Sequence, residues 1–294
     1  MDRLRVLCFA GMYGLALVAE LARVVVRAHN RPLATPILTA VGWVVQAAYL
    51  ARLAWVQQTL PVTTLFESML VLSWILAGIA LYLMLRSPKN AAVGLFALPI
   101  ALGLLIYAGL DSSTRGSGWS DWRGRVAFWG TVHGVFLLAG AVSTCLAFVA
   151  GLMYLAQLSR LKRKQSPARG ISLPSLEQSE RLNRGAIMFA FPLLTLGLFI
   201  GVILALASRG DGGVRLALND PKVLSGAVMW LVFAALLNAR FRPSMRGRRV
   251  VVLTMVAFAF LVFAWVGVDL LRLPTGHGGP RVSPRGPQDA GRTP

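Results

Sequence analysis

The chain has 294 residues, of which 56% are hydrophobic and only 14% charged, against roughly 25% charged in ordinary soluble domains. That composition excludes a disordered protein and argues against a single water-soluble domain. The formal net charge of +19, from 30 Lys and Arg against 11 Asp and Glu, would suggest nucleic acid in a soluble protein. In so apolar a chain it reports membrane topology, because basic residues gather in cytoplasmic loops, and no nucleic-acid partner is expected.

A bilayer core about 30 Å thick needs roughly 20 apolar residues in a helix. Eight runs qualify: 6–26, 37–56, 64–85, 91–109, 129–157, 186–207, 223–239 and 250–271. Lipid offers no partner for backbone N–H and C=O groups, so each run is predicted to be helical. The predicted fold class is therefore all-α, a polytopic membrane helix bundle of about eight transmembrane helices. It forms one bundle domain, 1–271, followed by an external Gly/Pro/Arg-rich tail, 272–294, predicted to be disordered. The first run is too long for the apolar region of a signal peptide, and Glu20 and Arg23 stand where small cleavage-site residues would be, so it is read as a retained span. Cys8 and Cys145 lie in apolar runs without CxxC spacing and read as packing residues.

Along the chain, Arg52 falls about one turn from the end of the second span and Glu67 about one turn into the third. The short turn between them predicts antiparallel neighbours. A charge in lipid is costly unless paired or wet, so a salt bridge Arg52–Glu67 bracing the hairpin is expected. The 110–128 loop carries Trp119, Asp121 and Trp122, with Trp129 at its membrane edge. These rings suit an interfacial belt or a flat platform for a planar ligand. The 159–185 loop is strongly basic, and Ser175-Leu-Glu-Gln178 is a possible capping box opening a short amphipathic helix. Asp220-Pro221-Lys222 opens the seventh span, with Asn219 or Asp220 able to cap the helix and Pro suited to its first turn.

Alternate loops share a side. Seventeen of the thirty basic residues fall within 23–31, 86–89, 160–184 and 240–249, which makes that side cytoplasmic and places both termini outside. Two of the three histidines, His133 at the outer end of span five and His277 six residues past span eight, then face the outer side. Two imidazoles on one face could ligate one metal or haem iron from opposite directions; the alternative is an interfacial histidine and a tail histidine. His29 lies in a basic cytoplasmic loop and reads as solvated. No phosphate loop, zinc signature or serine-hydrolase elbow is present.

Several segments in order resemble the cytochrome c assembly protein family. Pro61-Val-Thr-Thr64-Leu-Phe-Glu67-Ser68 resembles its "P-x-T-N-L-Y-E-S" helix opening. His133 followed by the span ending Gly151-Leu-Met-Tyr154-Leu-Ala-Gln157 resembles the next segment. Leu173-Pro-Ser-Leu-Glu177 with Phe191-Pro192-Leu-Leu-Thr195-Leu-Gly197 is similar to the HemX branch, and Asn219-Asp220-Pro221-Lys222, Trp230, Arg240 and Gly247-Arg-Arg resemble the last third. The resemblance runs from about residue 60 to 277. It implies a membrane protein of the bacterial cytoplasmic (inner) membrane that handles b-type haem on the outer face, an assembly factor rather than a stand-alone enzyme. It implies His133 and His277 as haem-iron ligands, with Trp119, Trp122, Asp220 and Lys222 around the cofactor. It implies as partners apocytochrome c and a second maturation membrane protein of ResB type. One segment departs from the family: residues 208–219 contain no tryptophan, and Val223 replaces the Glu of Asp-Pro-Lys-Glu. That departure keeps open a HemX-like regulator or scaffold that binds no haem, its partner surface the basic inner loop. A small-solute transporter is a third reading, disfavoured by the scarcity of charges within the spans.

Overall fold

A computed structural model describes residues 2–26, 33–58, 60–62, 64–86, 93–110, 125–164, 173–207, 221–241 and 247–267. Among them every regular element is a helix: α1 (Asp2–Val26), α2 (Ala34–Gln57), α3 (Leu65–Arg86), α4 (Val93–Leu110), α5 (Arg125–Lys162), α6 (Leu176–Ala207), α7 (Pro221–Phe241) and α8 (Arg248–Val262), the last continued by a π-helical turn, Phe263–Gly267. Seven helices are long and apolar enough to cross a membrane by length and composition; α7 carries the shorter apolar stretch Leu224–Asn238. The all-helical membrane bundle read from composition is therefore the architecture found.

The apolar runs located the helices but not their ends. α5 reaches Lys162, five residues beyond the apolar run, and α6 begins at Leu176, ten residues before its run. The short amphipathic helix expected at Ser175 is instead the first turns of α6. Ser175 caps it as predicted, its Oγ accepting from the Gln178 amide at 3.2 Å. Hydropathy marks only the part of a helix that lies in lipid, whereas capping and i→i−4 bonding continue into water.

The helices pack as two successive four-membered rings. In the first, α1 packs on α2, α2 on α3, α3 on α4, and α4 returns to α1; in the second, α5 to α8 repeat the same circuit, with α8 returning to α5. The rings meet where α5 packs against α3 and α4. Along this seam Leu72, Leu76 and Ala101 of the first ring join the core of the second, and Trp265 touches the cores of both.

Lipid chains are as apolar as leucine, so burial alone does not hold such helices together; close packing of small residues and interhelical hydrogen bonds do. In the first ring Trp43 and Trp74 stack at 5.1 Å, and each indole N–H donates to the other's carbonyl, at 3.1 and 3.2 Å. One turn on, Tyr13 Oη donates to Gln46 Oε1 at 2.7 Å, and Gln46 Nε2 donates to Ser73 Oγ at 2.8 Å and to the Leu70 carbonyl at 3.1 Å. Tyr13, Gln46 and Ser73 are fully buried, and this network satisfies the Gln46 amide. In the second ring α5 and α6 approach through glycines: a Cβ at Gly140 would stand 2.6 Å from Leu194, and one at Gly197 would stand 2.7 Å from Leu137. Asn183 donates to the Ala147 carbonyl across the same interface at 2.7 Å. These pairings run antiparallel, so the N-terminal end of α5 lies against the last third of α6.

Candidate functional site

His133 sits two turns into α5, half-buried, at the end of the bundle where the α2–α3 turn lies. A Cβ on its neighbour Gly134 would be 3.6 Å from the Val62 carbonyl. The imidazole points across to α6. A carbonyl can only accept, so His133 Nδ1–H is the donor in its 2.6 Å hydrogen bond to the Gly197 oxygen. The ring then lies over Gly201, where a Cβ would fall 2.6 Å from Cε1 and 3.0 Å from Nδ1. Gly197 and Gly201 are one turn apart, and the missing side chains make the slot that the imidazole occupies.

This hydrogen bond places a proton on Nδ1 and fixes the ring orientation, the role a backbone carbonyl plays for metal-ligating histidines. Among the described residues no group of three or more His, Cys, Asp or Glu could hold a bare metal ion. His133 could serve at this end as a protein ligand to the metal of a prosthetic group.

Glu67 and Arg52 do not form the predicted ion pair. The ion pairs among the described residues are Glu20–Arg23, Glu177–Arg181 and Glu180–Arg184. Arg52 lies two residues, about 200° of helix rotation, past the buried Leu50, so its side chain is exposed. Gln57, seven residues past Leu50, returns to the inner face and donates to Glu67 Oε1 at 2.8 Å. Glu67, only 3% exposed, also completes a reciprocal capping box: its amide donates to Thr64 Oγ1 at 3.1 Å, and the Thr64 amide donates to Glu67 Oε2 at 3.2 Å. The hairpin is braced as expected, by an amide partner and a helix cap instead of a guanidinium.

His277, Trp119, Trp122 and Asp220 lie outside the described residues. Lys222 lies in the first turn of α7, which begins at Pro221 as expected. Trp55 and Trp129 are exposed near this end, in keeping with an interfacial belt. Trp230 is interior and donates to Thr195 Oγ1 at 2.9 Å. Sequence reasoning overlooked Gln57, Thr64, Gly197 and Gly201. Two of these signals were readable: Thr64-x-x-Glu67 is a capping-box pattern, and Gly197-x-x-x-Gly201 is a close-packing pattern.

The family described as Cytochrome C assembly protein matches residues 62–274, from the turn that precedes the capping box to beyond α8. The chain is similar to proteins named cytochrome c biogenesis protein CcsA. With that of Guillardia theta it shares 24% identity over 233 residues, covering 72% of this chain and 74% of that protein. With that of Prochlorococcus marinus it shares 26% over 264 residues, 80% of each. With that of a Synechococcus strain it shares 25% over 288 residues, 90% of this chain and 92% of that protein. No solved structure matches the chain.

Proposed function

Because this chain belongs to the cytochrome c assembly protein family, we propose that it is a multi-pass membrane component of cytochrome c biogenesis that holds haem at the outer end of its second helix ring. The observation that carries the reading is the His133 imidazole, oriented across the bundle by the hydrogen bond of its Nδ1 to the Gly197 carbonyl. His277 is the proposed second ligand, with Trp119 and Trp122 against the macrocycle and Lys222 near a propionate. When bound, b-type haem supplies the vinyl groups that cysteine thiols of apocytochrome c attack to form thioethers. The chain's own part is to ligate, orient and shield. Gly197 and Gly201 keep the imidazole upright on α6, and the capped α2–α3 turn supports the neighbouring wall at Gly134. A ResB-type membrane protein is the proposed partner that brings the apocytochrome, and the bacterial cytoplasmic membrane is the proposed location.

The test is the Soret spectrum and haem content of the protein purified in mild detergent. His133→Ala and His277→Ala should each lower haem content, and the double variant should abolish the spectrum. Equal haem in the wild type and the double variant would sink ligation by this pair. The lack of tryptophan in residues 208–219 favours a second reading, a HemX-like scaffold that recruits a cytoplasmic protein through the basic inner loop. Wild-type protein that never carries haem, together with partner capture lost when the basic residues of the 159–185 loop are neutralised, would support it over the first.

A further inference from the structure

The end of the second ring opposite His133 carries a groove that the proposed haem site does not use. It lies between the first turns of α6 and the start of α8, lined by Glu177, Glu180, Arg181, Arg184, Gly185, Met188 and Gly247. One face of α6 builds it. At about 100° per residue, positions 181, 184, 185 and 188 project to the same side, so the face passes from charge to a notch to apolar surface. A Cβ at Gly185 would meet nothing within 4 Å, so the notch is open. Beyond it Met188 and Pro192 are exposed on the surface that faces lipid.

Within the groove two arginines face two glutamates, and the surplus of basic charge comes from the rim. Arg184 is held by Glu180 at 2.7 Å, and Glu180 also accepts from the Gly247 amide at 3.4 Å, so the carboxylate is already spent on two donors. Arg184 Nε is buried with no partner. Arg181 meets Glu177 only at 3.9 Å, with both side chains more than four-fifths exposed, a pairing that water and salt largely dissolve. The rim adds Arg248, and the end of α5 adds Lys162, Arg163 and Lys164, all exposed. Among the described residues of the second ring, Glu177 and Glu180 are the only acidic ones. A basic head above a glycine notch and an exposed apolar wall is the shape of a site for a two-part ligand, anionic at one end and aliphatic at the other.

We propose that this groove binds an anionic phospholipid of the adjoining leaflet, its phosphate between Arg181 and Arg184 and an acyl chain laid over Gly185 along Met188. The test is lipid retention by the full chain in nanodiscs of equimolar phosphatidylglycerol and phosphatidylcholine, measured by lipid extraction after detergent exchange. Phosphatidylglycerol should be enriched over phosphatidylcholine, and Arg181→Ala should lower that enrichment about fivefold, the worth of one basic residue near an anionic surface. Gly185→Leu, which fills the notch without changing charge, should lower it as well. Lys162→Ala/Arg163→Ala, on the rim, should lower it by less than Arg181→Ala does, and inorganic phosphate should not displace the lipid. Equal retention of the two lipids, a Gly185→Leu protein that keeps wild-type enrichment, an equal loss in the Lys162/Arg163 variant, or displacement by phosphate alone would each overturn the proposal. None of these outcomes depends on haem.

Discussion

The slot over Gly201 makes the sharpest prediction. In Gly201→Ala the new Cβ would stand 2.6 Å from His133 Cε1 and 3.0 Å from Nδ1, where carbon contacts ordinarily settle at about 3.5–4.0 Å. The imidazole must therefore retreat from α6 by about 1 Å. A retreat of that size carries the 2.6 Å bond to the Gly197 carbonyl to about 3.6 Å, where it no longer counts as a hydrogen bond. Losing the bond that orients a metal-ligating histidine typically costs about 10–100-fold in affinity, or about 1.4–2.7 kcal/mol. Haem titration into detergent-purified apoprotein, followed at the Soret band, should show that loss in Gly201→Ala and not in Gly226→Ala, where the added methyl meets nothing within 4 Å. The backbone at 201 is ordinary helix, so the effect should be on ligation more than on folding, and thermal unfolding should fall by no more than the about 1–3 kcal/mol of an overpacked contact. If Gly201→Ala binds haem within twofold of wild type while His133→Ala does not, the imidazole is not held against α6 as described. If His133→Ala also binds normally, His133 is not the ligand.

Three further expectations concern the frame. Glu67→Ala should destabilise the protein by about 2 kcal/mol through the lost cap and the lost Gln57 bond, Glu67→Gln by less, and Arg52→Ala by under about 0.5 kcal/mol. A double-mutant cycle by denaturant unfolding in detergent should couple Gln57 with Glu67, and a coupling above about 1 kcal/mol between Arg52 and Glu67 would reverse that account. Gln46→Leu removes three hydrogen bonds of the buried network, each worth about 0.6 kcal/mol in a membrane, so it should cost about 2 kcal/mol against about 0.6 for Tyr13→Phe; equal losses in thermal melting would show that Ser73 and the Leu70 carbonyl contribute nothing. Gly247→Ala places a side chain at φ +62° with its Cβ 2.8 Å from Tyr154 Oη. It should cost about 2 kcal/mol, of which adding Tyr154→Phe restores only the steric part; full restoration would mean the backbone angle costs nothing.

The number and order of the helices were legible because a membrane span is dictated by length and transfer energy, both of which sum over residues of one segment. His133 could be singled out because histidines are scarce: the chain has three. The Arg52–Glu67 pairing failed for an equally physical reason. Similar depth is a property of sequence spacing, but which face a residue presents depends on the rotation of two helices about their axes. That rotation is set by Leu50, Gln46 and Ser73 packing together and leaves Arg52 outside.

The sequence by itself thus determined a chain of apolar helices and the family to which the ordered motifs belong. Only the tertiary structure decided that the eight helices close as two rings, that Gln57 and not Arg52 reaches Glu67, and that α6 offers His133 a glycine slot and a carbonyl. Composition acts residue by residue and is additive, whereas a tautomer is chosen by one contact between segments 64 residues apart.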